Sequence, residues 1–462
     1  MRRWLRNREQ RKRKMKNNSN CEKRKASDTA FTAYDAAIIG AGASGLAAAI
    51  TLKQENPKAS VVLIEKKEAP GKKLGITGNG RCNLSNAACE NNAEVLAFFG
   101  ECGILVREDE EGRLYPYSED AKEVVDLLTT LAEAAGVEIL VNHEIRRVEA
   151  EPEGGFLLFV DGMKAMKAKK VLIATGGKSY PQTGTTGDGF VIARNFGHRV
   201  KAPAPGLTAI CTVQEKAFAE KDSAAAEMKF LKGVRAKGCV RLFALEADGE
   251  QGEPSREREI FCESGEIQFR EDSVSGICIM NMSNVIKPQG NPAAAESFGA
   301  YTIRIDLAPD FSTEQIEEHM RMMALRRDLT AGDLLKTIVK EKLAKVILMR
   351  VGVHEDMPAE TLSEVEKKRI AAELKAFSLH VTGLKGWKEA QVTCGGVALD
   401  EVGAETMESS LVPGLYFSGE VLDYAGPCGG FNLHHAWLTG VRAGRAMAES
   451  LKRGRLCTGF IR

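Results

Sequence analysis

The stretch Tyr34–Lys67, YDAAIIGAGASGLAAAITLKQENPKASVVLIEKK, limits the fold more than any other part of the chain. Ala36–Ile39 is a short apolar run. Gly40-x-Gly42-x-x-Gly45 comes next without a break, Leu46–Lys53 reads as an Ala-rich helix, and Val61–Ile64 reads as a second strand ending at Glu65. A strand, a glycine turn, a helix and a strand in this order specify a dinucleotide-binding α/β unit with parallel strands. Gly40 allows the tight turn, Gly42 lets the backbone approach a pyrophosphate, and Gly45 lets the helix lie close to the sheet. Ala43 and Ser44 open that helix, whose free N–H groups and positive dipole end favour phosphate. Glu65 is placed to accept hydrogen bonds from an adenosine ribose, with Lys66 beside it.

The chain after Glu65 separates FAD from NAD. A nicotinamide dehydrogenase would continue with another strand and helix. Here comes a loop instead, APGKKLGITGNGRCNLSN (Ala69–Asn86), with Lys72, Lys73, Arg81 and Asn83 set among glycines. Such a loop wraps a long cofactor. Ile145, in the alternating run Gly136–Glu151, is expected near an adenine. The strand Val171–Ala174 ends at Thr175-Gly176-Gly177, a second pass of the chain by the cofactor. Near the other terminus, Leu415–Ser418 reads as a strand of the same sheet. Gly419-Glu420 at its end brings a carboxylate to the ribityl or pyrophosphate region. Gly429-Gly430-Phe431-Asn432-Leu433 then opens a helix whose first N–H groups face the flavin pyrimidine edge, where a positive helix end stabilises the reduced ring.

Length and charge bound the rest. The chain has 462 residues, enough for several domains. Residues 1–33 hold 12 Lys/Arg against 3 Asp/Glu, leaving 52 of the 64 basic and 60 of the 63 acidic residues to the remainder. This leader lacks the apolar core of a secretory signal and reads as a disordered arm, with no nucleic acid expected as a partner. No run approaches the roughly 18 apolar residues of a membrane span. The eleven cysteines form no CxxC pair and no zinc pattern, so reduced thiols, a cytoplasmic location and no metal are expected.

Four motifs in order, GKKLGITGNGRCNLSN, GRLYP (Gly112–Pro116), IATGGKSYPQTGTTGDGF and GEVLDYAGPCGGFNL, resemble the BaiN-type family of flavoproteins. That family includes aminoacetone-oxidase-like proteins and 3-dehydro-bile acid Δ4,6-reductases. The similarity covers roughly residues 34–455; the basic leader is additional. It implies a glutathione-reductase-like FAD domain, built from 34–199 and 386–462. An inserted β-barrel-like domain at 200–311 and a small helical subdomain at 312–385 lie between. It also implies non-covalent FAD, NADH or NADPH as a transient donor, and a small-molecule substrate.

The sequence shows a flavin site more clearly than a reaction. If the substrate is a conjugated enone, a hydride reaches the β-carbon and an acid serves the α-carbon or the enolate. Tyr424, His434 and His435 stand in the expected region, ahead of Tyr115 and Tyr180. A flavin oxidase of small amines or ketones, and a non-catalytic RNA-associated flavoprotein, are the alternative readings. The substrate class, reduction of 3-oxo-Δ4 or Δ4,6 bile acids, rests on the resemblance alone.

Overall fold

The computed structural model describes residues 31–213, 223–246, 256–287, 295–326 and 328–459, so most of the basic leader lies outside the described residues. The first strand, Thr32–Ile39, loses solvent along its length and is buried from Tyr34 onwards. A strand apolar on both faces belongs inside a parallel sheet covered by helices. It pairs in parallel with Val61–Ile64 on one side (Ile39 opposite Ile64) and with Met166–Ile173 on the other (Ile39 opposite Ile173). Val137–Leu140 extends the sheet beyond Val61–Ile64.

The Met166–Ile173 strand divides its free edge between two partners. Its first half pairs antiparallel with Phe156–Val160, Ala168 opposite Phe156. Its second half pairs in parallel with Leu415–Phe417, Ile173 opposite Phe417. The sheet thus closes with a strand that arrives more than 240 residues later in the chain. The C-terminal helix, Phe431–Gly459, then crosses the first helix, Ala43–Glu55. Ile38, Leu46, Leu63, Phe99, Phe417 and Trp437 fill the core between them. Trp437 is fully buried, its ring edge-on to Phe99 at 5.6 Å, and Nε1–H donates to Leu84 O at 3.1 Å.

The excursion between these ends leaves and returns through one antiparallel pair, Val200–Gly206 with Val392–Val397. Beyond it stands a seven-stranded antiparallel sheet dominated by the long hairpin Arg235–Glu246 and Arg256–Phe269. Its two edge strands, Phe377–His380 and Gly383–Leu384, are separated by two residues only. A link that short spans about 10 Å at full extension, so the sheet must curl until its edges nearly meet, as the barrel-like expectation required. Three helices, Thr313–Ala324, Glu341–Val351 and Glu364–Lys375, share one core with this sheet, where Ile303, Leu343, Ile370 and Phe377 are buried. Phe377–His380, expected within a helical segment, is a strand of the sheet. Among the described residues no helix is long and apolar enough to cross a membrane.

Candidate active site

A cavity of about 490 Å³ runs along the C-terminal edge of the parallel sheet. Every chain pass expected at the cofactor contributes to it. The first turn supplies Gly40, Gly42, Ala43 and Ser44; the second strand's end supplies Glu65 and Lys66; the glycine-rich loop supplies Lys73, Arg81 and Asn83. Ile145, Thr175 and Gly176 line it further along, and the C-terminal segment adds Glu420, Tyr424, Gly430, Asn432, Leu433 and His435. Gly45, Gly419, Phe431 and His434 lie outside the lining. Gly45 sits beneath the turn, where a Cβ would stand 1.9 Å from Gly40 O. Gly419 donates its N–H to Thr439 Oγ1 at 2.9 Å.

The turn fits a pyrophosphate. Gly42 has ordinary extended backbone, and a Cβ built on it meets nothing within 4 Å, so the space above the helix N-terminus is open. Glu65 braces this turn: Oε2 accepts from Ala41 N at 3.0 Å and Oε1 from Lys67 N at 2.9 Å. Each carboxylate oxygen keeps a second acceptor position for a hydroxyl. Lys66 is paired with Asp188, and Arg81 lies over the Tyr115 ring at 4.9 Å.

Three expected roles change. Glu420 was expected to reach the cofactor's hydroxyls. Instead Oε2 accepts from Lys73 Nζ at 2.6 Å, and Oε1 accepts from Ser179 Oγ at 2.7 Å and from Thr393 N at 2.8 Å. One acceptor position remains on Oε2, so the carboxylate first of all ties together four distant chain passes. Asn432 is similarly engaged: Oδ1 accepts from Gly426 N at 2.9 Å, and Nδ2 donates to Gly426 O at 2.9 Å and Pro427 O at 3.1 Å. It staples the turn before the helix. Asn83 joins the glycine loop to this turn, with Nδ2 donating to Ser85 O at 2.9 Å and Oδ1 accepting from Gly430 N at 3.1 Å. Gly430 has φ +104°, and a Cβ there would stand 2.2 Å from Ser85 O, so only glycine lets the two segments touch. The N–H groups of Phe431, Asn432 and Leu433 have no acceptor within the helix.

His434 is the third correction. Its Nδ1 meets Ser85 Oγ at 2.8 Å and its Nε2 meets Glu90 O at 2.9 Å, so the ring is buried and fully partnered, away from the cavity. His435 does line the cavity. Its ring stacks on Tyr424 with centroids 4.1 Å apart, and its Nε2 is buried without a partner. Burial pushes the His435 imidazole down to about 4, so it is neutral near pH 7 and cannot serve as an imidazolium acid. Burial raises the Tyr424 phenol above its ordinary value.

These histidines make a pH prediction. Burial also lowers His434. In the unfolded chain both take up protons near pH 6.5. A folded value below the unfolded one means the unfolded state binds more protons, so stability is full above about pH 6.5 and declines toward pH 4. The denaturation midpoint should be lower at about pH 5 than at about pH 7.5. His435→Phe keeps the stack on Tyr424 but cannot charge, so it should shrink that difference. An unchanged difference contradicts the assignment.

The sequence alone assigns no role to Ser179, Asn281, Gln391 or Thr393. They are polar residues without a local pattern; the fold sets Gln391 in the cavity wall, Ser179 and Thr393 on the Glu420 carboxylate, and Asn281 on the Cys428 N–H.

The family model of the HI0933-like protein Rossmann domain matches residues 34–96 and 90–446. A 3-dehydro-bile acid Δ(4,6)-reductase of Clostridium scindens is 30% identical over 89% of this chain and 98% of its own length. A ribosomal RNA dihydrouridine synthase of Escherichia coli is 30% identical over 87% of this chain and 95% of its own. Among solved structures, a 3-ketosteroid Δ4-(5α)-dehydrogenase of Rhodococcus jostii RHA1 is 13% identical, with a TM-score of 0.44, covering 91% of this chain and 98% of that one. With a glycine turn, an open pyrophosphate cradle and a sheet closed from both chain ends, the match along nearly the whole length places this chain in the HI0933-like Rossmann family, as the BaiN-type resemblance implied, and makes it an FAD-dependent oxidoreductase.

Proposed function

We propose that this protein reduces a C=C bond conjugated to a carbonyl, with 3-oxo-Δ4 or Δ4,6 bile acids as the substrate class. The observation that carries the reading is the far wall of the cavity. There Leu207, Ile277, Met280 and Val392 form an apolar surface that adjoins the Gly429-Gly430 turn. A flat apolar substrate fits between such a wall and a cofactor lying on backbone. Bound FAD, once reduced, supplies a hydride for an electron-poor carbon. In this reading the Gly40–Ser44 turn holds the pyrophosphate, Glu65 the adenosine ribose, and Ile145 the adenine. Lys66, Lys73, Arg81, Asn83, Thr175, Gly176 and Glu420 border the cofactor, and the first turn of the Phe431–Gly459 helix faces the ring's pyrimidine edge. NADH or NADPH docks transiently to reload the cofactor.

The test is anaerobic mixing of the reduced holoprotein with a 3-oxo-Δ4 bile acid. Reoxidation of the flavin with saturation of the C=C bond is the expected result; no reoxidation overturns the substrate assignment. Fast reaction with oxygen and peroxide release would favour an oxidase instead.

A second reading has its own support. The uracil ring also carries a C=C bond conjugated to a carbonyl, so the named activities of the two relatives share one reaction type. The leader's 12 basic against 3 acidic residues suit a polyanion. In that case an rRNA fragment reoxidises the flavin and gains two mass units per site, roughly one reduced bond each. Binding then weakens steeply with salt and on deletion of residues 1–33.

A further inference from the structure

We propose that Cys428 is the proton donor of the reduction, its thiol delivering the proton to the α-carbon of the substrate. The inference rests on the proposed reduction of a conjugated C=C bond and adds a residue to it.

Cys428 lies in the cavity wall, immediately before the Gly429-Gly430 turn, where that turn meets the antiparallel-sheet region. Two side chains from across the seam hold it. Asn281 Oδ1 accepts its backbone N–H at 2.8 Å. Asn281 is itself oriented by Glu263, whose two carboxylate oxygens accept from Nδ2 at 2.9 and 3.0 Å. Gln391, also in the wall, accepts from the Cys428 thiol at 3.9 Å between Sγ and Oε1, while Gln391 Nε2 donates to Met280 Sδ at 3.3 Å. The thiol therefore has a fixed direction at the point where the apolar wall meets the glycine turn.

The remaining candidates are less suited. His434 is fully partnered outside the cavity, and His435 is neutral. The Tyr424 hydroxyl packs against Gly426, within the turn itself. His435, stacked on Tyr424, lines the same cavity, and its buried Nε2 has no partner. Burial pushes the Cys428 thiol up to about 12, so it keeps its proton at neutral pH, as a donor must. Among the described residues Cys428 is a free thiol, bonded to no other cysteine, and the group acts as an acid rather than a redox centre.

The balance is simple. Hydride adds to the β-carbon, and the π pair of the C=C bond moves toward the carbonyl as an enolate. The enolate carbon then takes the proton from Sγ: the S–H bond breaks, a C–H bond forms, and water returns a proton to the thiolate. The reducing equivalents are those of the reduced cofactor.

Two measurements on the holoenzyme test this. First, the oxidised protein is alkylated with excess iodoacetamide at about pH 10, where even a thiol held well above the ordinary value labels slowly but measurably, with and without a saturating 3-oxo-Δ4 bile acid or an rRNA fragment, and the peptides are weighed. The ligand that reoxidises the reduced enzyme should shield Cys428 and leave the exposed Cys262 unchanged. Equal labelling of Cys428 with and without that ligand overturns the proposal. Second, reduced Cys428→Ala and Cys428→Ser are mixed anaerobically with the same compound. Both should keep full FAD content, and reoxidation should slow by about 100-fold or more in Cys428→Ala. Reoxidation within about threefold of wild type overturns the role of Cys428 alone, since general acid catalysis is worth far more. Failure of the wild-type protein to react with either compound overturns the conjugated-C=C reading itself, and the donor role with it.

Discussion

Gly42→Val should purify as a folded, colourless protein. The reason is a contrast between two glycines three residues apart. The Gly42 backbone is in an ordinary extended region, and a Cβ there enters open space. The fold therefore accepts valine, but the side chain occupies the room above the helix N-terminus where a pyrophosphate would lie. FAD affinity should fall by about a hundredfold or more, close to 2.7 kcal/mol, with circular dichroism and apoprotein melting unchanged. Gly45→Val should behave differently. Its Cβ would stand 1.9 Å from the Gly40 carbonyl oxygen, which is backbone and cannot step aside. Pushing the helix off the sheet costs about 3 kcal/mol or more, so this variant should lose solubility or melt much earlier. Visible flavin absorbance and thermal melting separate the two. A yellow Gly42→Val protein with stoichiometric FAD would mean that the turn holds no pyrophosphate.

The second large effect belongs to Glu420. Removing its carboxylate in Glu420→Ala leaves the Lys73 ammonium without its counter-charge, held only by Ser179 Oγ, and takes the Glu420 acceptor from the Ser179 hydroxyl and the Thr393 N–H. A buried ion pair broken on one side costs about 3–5 kcal/mol. Lys73 and Glu420 are 24% and 19% exposed, so solvent reduces this to about 2 kcal/mol. Glu420→Gln, although nearly isosteric, should be almost as harmful, because its amide N–H groups then face the ammonium, donor against donor. Adding Lys73→Met to Glu420→Gln should recover about 1 kcal/mol, the signature of two coupled sites. Denaturation midpoints of the two single variants and the double variant decide the matter. Strictly additive losses would show that the pair contributes nothing.

These two sites also show what a sequence discloses and what it withholds. The Gly42 turn was legible because a whole strand, turn, helix and strand fit within about thirty residues, so local spacing carries the geometry. The Glu420 network draws on positions 73, 179, 393 and 420, whose proximity exists only after the sheet is assembled. The histidines fail for another reason. Neighbours on a helix point about 100° apart. His434 turns toward Ser85 and His435 toward the cavity, and which does which depends on where the Gly430 turn starts the helix. Phe377–His380 was missed because four residues directly after a charged helix carry too little alternation to announce a strand. The apolar wall was unreadable for the same reason as the network: Leu207 comes from a loop, Ile277 and Met280 from a short helix, and Val392 from a strand.

The sheet closed from both chain ends sets an order of events during synthesis. When the ribosome has made the Met166–Ile173 strand, half of that strand's edge has no partner until Leu415–Phe417 emerges 242 residues later, counting from Ile173 to Leu415. At about 5–20 residues per second this is a wait of roughly 12–50 seconds. During that wait an exposed parallel edge is open to pairing with other chains. The antiparallel-sheet region, with its own core, can fold in the interval and shelter the edge. The Gly40–Ser44 turn is made early, and Glu420, Asn432 and Leu433 of the same cavity come last, so the cavity is complete only as the final helix docks. A nascent chain stalled before residue 415 would be well advanced in folding and still unable to keep its flavin.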